Sequence, residues 1–197
     1  MKKHLIGLVL LLAILLVGCG NTNADHKKPT EKPDISVEES CQPDIAIEEI
    51  DWIFENGNIQ GNNYVVLQFT NNSQYTIDSF ELKFEEKANL SKEEKSQVYA
   101  DIQASQGFDD EWMNEYITSR EQLNQPITMY GRYTESTTPN SNSGKIKCYY
   151  MGGWTSKEVL HAEKFEPVTA IIKYTKEDTA FTLYYNFKTN TYDLEKE

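Results

Sequence analysis

The sequence predicts a mainly β fold, an antiparallel sandwich interrupted by a short helical insertion. Three observations carry the prediction. From Ile50 onward, apolar and polar residues alternate with a period of two over short segments, the pattern of half-buried strands. Clusters rich in Asn, Gly and Ser separate those segments as turns. One stretch, residues 91–123, breaks the alternation and carries helix-start signals instead.

The folded domain is expected over residues 45–197. Ile50, Trp52 and Phe54 alternate with Asp51 and Ile53 as a first strand. Glu55-Asn56-Gly57-Asn58 then reads as a turn, because Asn-Gly tolerates positive φ, and Gly61-Asn62-Asn63 is a second turn signal. Residues 64–69 predict a strand with Val65, Leu67 and Phe69 on one face. After Asn71-Asn72-Ser73, residues 75–84 predict another, with Phe80, Leu82 and Phe84 on one face. Three successive strands with short connections predict an antiparallel meander.

Ser91-Lys92-Glu93-Glu94 matches a capping box ahead of a helix to about Asp101. Asp109 or Asp110 caps a second helix bearing Trp112, Tyr116 and Ile117 at helical spacing. Strands resume over residues 127–133 and 146–151, around a polar loop at residues 134–144. Gly152-Gly153 ends the second of these. Residues 168–174 and 181–187 are strong strand predictions about a turn at Lys176-Glu177-Asp178, and Thr189-Asn190 turns the chain before Tyr192. About seven or eight strands over such a length suit a sandwich or a partly open barrel.

The N-terminus has a different character. Lys2 and Lys3 precede an apolar run, residues 5–17, that is shorter than the roughly 20 residues a spanning helix needs and fits the core of an export signal. The run ends in Leu16-Val17-Gly18-Cys19. This tetrad resembles the lipobox of bacterial lipoprotein precursors. A simple signal peptide or an uncleaved anchor are the alternatives. The resemblance implies that residues 1–18 are removed and that the Cys19 thiol carries a diacylglyceryl group. One acyl chain holds a protein on a membrane only marginally, and two hold it stably. The implied address is the extracytoplasmic face of the cell membrane. Gly20 stands where an Asp would signal inner-membrane retention in a Gram-negative cell, and abundant Asn and Lys suit a Gram-positive source. Residues 19–44 are polar and punctuated by Pro29, Pro33 and Pro43, so they read as a flexible tether.

A second resemblance lies at the start of the domain. Phe69-Thr70-Asn71-Asn72-Ser73, followed by Ile77, Phe80, Leu82 and Phe84, resembles immunoglobulin-like modules of Gram-positive surface lipoproteins, including the FxLYD type. It covers about 25 residues, and Phe84-Glu85 stands where that family has an aromatic-Asp pair. It implies an immunoglobulin-like sandwich displayed outside the cell, without implying an activity.

Charge and cysteine use constrain the function. Loss of Lys2 and Lys3 with the signal leaves 17 basic against 31 acidic residues. That balance speaks against nucleic acid as a partner and against electrostatic docking on anionic lipid. With Cys19 assigned to lipid, Cys41 and Cys148 remain. In an oxidising compartment they are candidates for a disulfide, which would be worth roughly 4–5 kcal/mol in the chain-entropy model. Two independent thiols are the alternative.

Catalytic signals are sparse. The chain lacks a G-x-S-x-G elbow and a Ser-x-x-Lys pair, so no catalytic residue is assigned and a non-enzyme is expected. Cys148 and His161 form no recognised nucleophile signature. His161, Glu163 and Glu158 are too few for a zinc site, and Asp109-Asp110-Glu111 lacks calcium-loop spacing, so no metal or cofactor is expected. The surplus is aromatic, with 12 Tyr, 8 Phe and 3 Trp. Tyr149, Tyr150, Trp154, Tyr184 and Tyr185 form a candidate binding strip for a carbohydrate or an extended peptide, although ordinary core packing explains such residues too. The expected role is a membrane-anchored, non-enzymatic binding module with an envelope protein or carbohydrate as ligand. The alternatives are an envelope enzyme with an unrecognised site and a small solute-binding lipoprotein. A flat aromatic face or open strand edge favours the first, and a His–carboxylate pair in a cleft favours the enzyme.

Overall fold

The computed structural model describes residues 43–150, 153–155 and 161–197. The predicted signal peptide and most of the tether, with Cys19 and Cys41, lie outside the described residues. Within them, the chain is mainly β, with two antiparallel sheets in a sandwich-like arrangement and two short helices.

The first hairpin joins β1 (Ile50–Ile59) to β2 (Asn62–Asn71) through Gln60 and Gly61. Both turn residues have positive φ, 53° and 83°, which matches the right-handed twist of the flanking strands. The turn expected at Asn56-Gly57 is instead continuous strand: Asn56 pairs with Val65, and Gly57 with Tyr64. Gly57 is needed for close approach. A Cβ there would come within 2.6 Å of Val66 Cγ2.

The expected three-strand meander breaks at β3 (Ile77–Glu86), which belongs to the other sheet. The fully buried Asn71 explains the crossing. Its side-chain amide donates to the carbonyls of Tyr75 (2.8 Å) and Thr137 (2.9 Å). Its Oδ1 accepts from the Ser73 amide (3.0 Å) and hydroxyl (2.7 Å). A buried amide satisfied on both sides fixes the bend that carries the chain between layers.

The second sheet is built from β3, β4 (Thr128–Tyr133), β7 (Tyr149–Tyr150), β8 (Trp154–Thr155), β9 (Phe165–Lys176), β10 (Thr179–Asn186) and β11 (Thr191–Lys196), in the order β11-β10-β9-β3-β4-β7-β8. In the first sheet, β5 (Ser141–Asn142) and β6 (Ile146–Lys147) pair with β2. The strand predicted over residues 146–151 is therefore divided. Its first part pairs with β2 in one sheet and its second with β4 in the other. Cys148, at the crossing, is fully buried and donates its amide to the Val65 carbonyl (2.9 Å). The inward faces agree with the alternation read from the sequence. Val65, Leu67 and Phe69 meet Phe80, Leu82 and Phe84, with Ile172 and Leu183 in the same core.

The insertion folds as two helices, α1 (Lys92–Gln106) and α2 (Asp110–Gln122). Ser91 Oγ accepts from the Glu94 amide (3.2 Å), while Glu94 accepts from the Ser91 amide (2.8 Å), completing the capping box. Asp109 caps α2 by accepting from the Trp112 amide (2.8 Å). Among the described residues, no helix is long and apolar enough to cross a membrane.

Candidate functional site

The candidate strip divides by strand alternation. Tyr150 and Tyr185 are buried, packing against Phe165 and Phe187 respectively. Tyr149 and Tyr184 are half-buried. The sheet order separates their strands, β7 and β10, by four steps, about 19 Å at the usual strand spacing. Trp154 is placed by its backbone pairing with Tyr150. The five residues therefore do not form one strip. Tyr149 has a neighbour that sequence reasoning missed: its ring stacks on Tyr130, 5.6 Å between centroids. Arg132 on the same strand pairs with Glu81, while Tyr184 donates to Glu195 (3.1 Å). The Arg132 charge and the Tyr184 hydroxyl are thus already engaged.

Cys148 carries a free, buried thiol whose pKa burial raises well above its usual value. Its proposed partner Cys41 is outside the described residues. Cys148 and His161 do not form a catalytic pair. The His161 ring nitrogens meet the Asp101 and Glu163 carboxylates, the latter at 3.4 Å. Both nitrogens thus face carboxylates, and no hydroxyl or thiol among the described residues hydrogen-bonds to the ring. Among the described residues, no group of three or more His, Cys, Asp or Glu side chains is placed to hold a metal.

A cleft of about 870 Å³ lies where the helices meet the end of the second sheet. Glu86 from the end of β3, Lys95 and Tyr99 from α1, and Met113, Ile117 and Arg120 from α2 line it. The helix sequences explain this placement. Met113, Ile117 and Arg120 follow one another at four and three residues, so one face of α2 presents them together. Trp112, Tyr116 and Arg120 follow at intervals of four. Trp112 stacks on Tyr116 (5.3 Å), and the Arg120 guanidinium lies 5.3 Å from the Tyr116 ring centroid. Tyr116 meets Tyr99 of α1 edge-on at 6.2 Å.

Two charged residues that line this cleft are buried and incompletely satisfied. Arg120 is only 3% exposed, and its terminal nitrogen donates to the Pro126 carbonyl. Its Nε has no partner. The Glu86 side chain is 9% exposed; one oxygen accepts from Lys95 (2.6 Å) and Oε2 has no partner. Burial, reinforced by the Glu86 carboxylate and opposed by Arg120, pushes the Tyr99 phenol up to about 12. At the cleft rim, burial raises the Glu85 pKa, but hydrogen bonds from Lys188 (2.7 Å) and Lys83 (2.9 Å) outweigh it and hold the carboxyl below its ordinary value. Sequence reasoning followed the α2 period as far as Ile117 and stopped short of Arg120. Continuing it by one turn is the signal that finds the residue.

The chain matches no family model, no curated protein and no solved structure at a significant level.

Proposed function

We propose that this chain is an exported lipoprotein, held by lipid on Cys19 at the extracytoplasmic face of the cell membrane, whose β-sandwich binds a ligand without transforming it. The lipobox tetrad supports the anchor and the address. The α1–α2 cleft carries the binding half of the reading. Its lining combines the apolar Met113 and Ile117 with the charged Glu86, Lys95 and Arg120. Concave sites of about 300–1,000 Å³ with a few placed polar groups are the usual form of small-molecule sites. The immunoglobulin-like resemblance supports display outside the cell. An enzymatic reading is favoured only by the His161–Asp101 pair, which has no nucleophile at hydrogen-bonding distance among the described residues.

Expression of the wild type and of Cys19→Ser, followed by membrane fractionation, tests the anchor. The wild type is expected in the membrane fraction with acyl label. Cys19→Ser is expected to lose the label and to remain as unprocessed precursor. Processing of Cys19→Ser at the wild-type rate, with release to the medium, would show an ordinary signal peptide.

A further inference from the structure

We infer that the open edge of β1 takes an extended, basic peptide as an added strand, its cationic side chains opposite Asp51 and Glu55. The site is separate from the α1–α2 cleft and goes beyond the reading given above. β1 stands at the edge of the four-stranded sheet, and among the described residues the strand paired with it is β2 alone. The Asn72 amide donates to the Glu49 carbonyl (2.8 Å), which sets the phase of the ladder. Odd-numbered residues of β1 turn their backbone groups to β2, and even-numbered ones turn theirs away. Phe69, opposite Trp52, obeys the same phase: its carbonyl accepts from the Ser143 amide (2.9 Å), on the side away from β1. The amides and carbonyls of Trp52 and Phe54 therefore point off the open edge, where such groups form a template for another strand.

The side chains along the edge select the partner. A groove of about 430 Å³ lies beside it, lined by the half-buried Trp52, Phe54 and Pro167. Phe54 stacks on Phe84 at 3.8 Å between centroids, so its ring is already fixed. An added strand alternates its side chains between two faces. Those directed inward meet this groove, which suits apolar groups. Those directed outward lie beside Asp51, Ile53 and Glu55, all exposed, Ile53 at 55%. Asp51 accepts from the neutral side-chain amide of Asn72 (2.8 Å), and neither carboxylate has an ion pair among the described residues. Two cationic residues flanking an apolar one match that face, since opposite charges across a strand pair stabilise it and like charges weaken it. The same rule bars a second copy: pairing β1 with itself about Ile53 would set Asp51 of each chain against Glu55 of the other. The acidic balance of the whole chain, 31 acidic against 19 basic residues, steers a basic segment toward it.

The test is calorimetric titration of the full mature lipidated protein in non-ionic detergent, with amide hydrogen exchange on the same samples. The probe is the end-blocked peptide Thr-Lys-Leu-Val-Leu-Lys-Thr. As an antiparallel strand it sets Val opposite Ile53, the lysines opposite Asp51 and Glu55, and the leucines opposite Trp52 and Phe54. In the free protein the Trp52 and Phe54 amides are expected to exchange fast, and those of Ile53 and Glu55 slowly. The peptide is expected to bind saturably and to protect the Trp52 and Phe54 amides. Methylating both leucine amides removes the donors that face β1 and is expected to weaken binding about tenfold or more. Glu in place of both lysines of the peptide is expected to abolish its binding. Glu55→Lys is expected to weaken the Lys peptide about fivefold, with circular dichroism unchanged. Ile53→Thr, which keeps a β-branched residue on the strand, provides a second variant, expected to weaken the peptide too. Four results overturn the inference: the Trp52 and Phe54 amides exchange slowly in the free protein; the Lys peptide fails to bind; the methylated or the acidic peptide binds as well; or both folded variants bind undiminished. Binding that protects other amides would place the peptide elsewhere and overturn it equally. Protection that rises with protein concentration alone would make a second copy the occupant and overturn it too. The α1–α2 cleft is untouched by any of these outcomes, so the two sites fail separately.

Discussion

At the scale of single residues, close approach decides more than conformational freedom. Gly131 lies on β4 beneath Leu67. A Cβ at Gly131 would stand 2.5 Å from Leu67 Cδ2 and 2.9 Å from Leu67 Cβ, with the Cys148 thiol at 3.3 Å. No rotamer of a buried Leu relieves a contact with its own Cβ, so the strands must move. Gly131→Ala is expected to lower stability by about 1–3 kcal/mol, the usual cost of overpacking; a denaturant melt of the two proteins measures it. Glu85 gives a pH-dependent counterpart. Its folded pKa lies below the ordinary value of 4.5. It therefore contributes stability that is fully present above about pH 4.5 and is lost as pH falls through the folded value. Glu85→Gln is expected to lower stability near neutral pH and to flatten the acid-side loss. Melts across that range check both, and an unchanged acid-side slope would count against the assignment.

At the scale of elements, local chemistry was readable and partner choice was not. Ser91 and Glu94 announced the start of α1, and Asp109 that of α2, because a cap is satisfied within four residues of sequence. The strands from Phe80 to Phe84 and from Phe181 to Phe187 were equally legible, since period-two burial needs only one covered face. The same period says nothing about which sheet covers it. That is why β3 was expected beside β2, and why residues 146–151 were read as one strand where Cys148 divides them between two sheets. The Asn56-Gly57 pair signals a turn locally, whereas here the pairing of Gly57 with Tyr64 and its crowding by Val66 prevail. The cap makes a quantitative prediction. Ser91→Ala removes the hydroxyl that accepts from the Glu94 amide, and is expected to cost about 1 kcal/mol. Because α1 forms one wall of the cleft, amide hydrogen exchange should speed first in its opening turn, and uniform exchange along α1 would contradict a local effect.

At the scale of the whole molecule, a sandwich with a helical insertion creates one concavity that neither layer has alone. The insertion leaves β3 at Glu86 and rejoins β4 at Thr128, adjacent strands of one sheet, so the helices lie against that sheet's end. Arg120 and Glu86, more than thirty residues apart, line one cleft only through this closure, which lies beyond a reading of local pattern. The sheet crossing at Asn71 underlies the arrangement. Asn71→Ala strips four hydrogen bonds from a fully buried position. It is expected to cost about 1–3 kcal/mol or more in a thermal or denaturant melt. A neutral result would show that the crossing is held by packing instead. On the proposed reading, the domain stands off the membrane on the tether that the sequence predicts, and the lipobox-like tetrad sets where it acts. The most direct measurement of that central claim is the mass of the mature N-terminal peptide from the membrane fraction. The account predicts a chain beginning at Cys19 and heavier than its amino acids by a diacylglyceryl group. An unmodified N-terminus, or cleavage at any other residue, would contradict it.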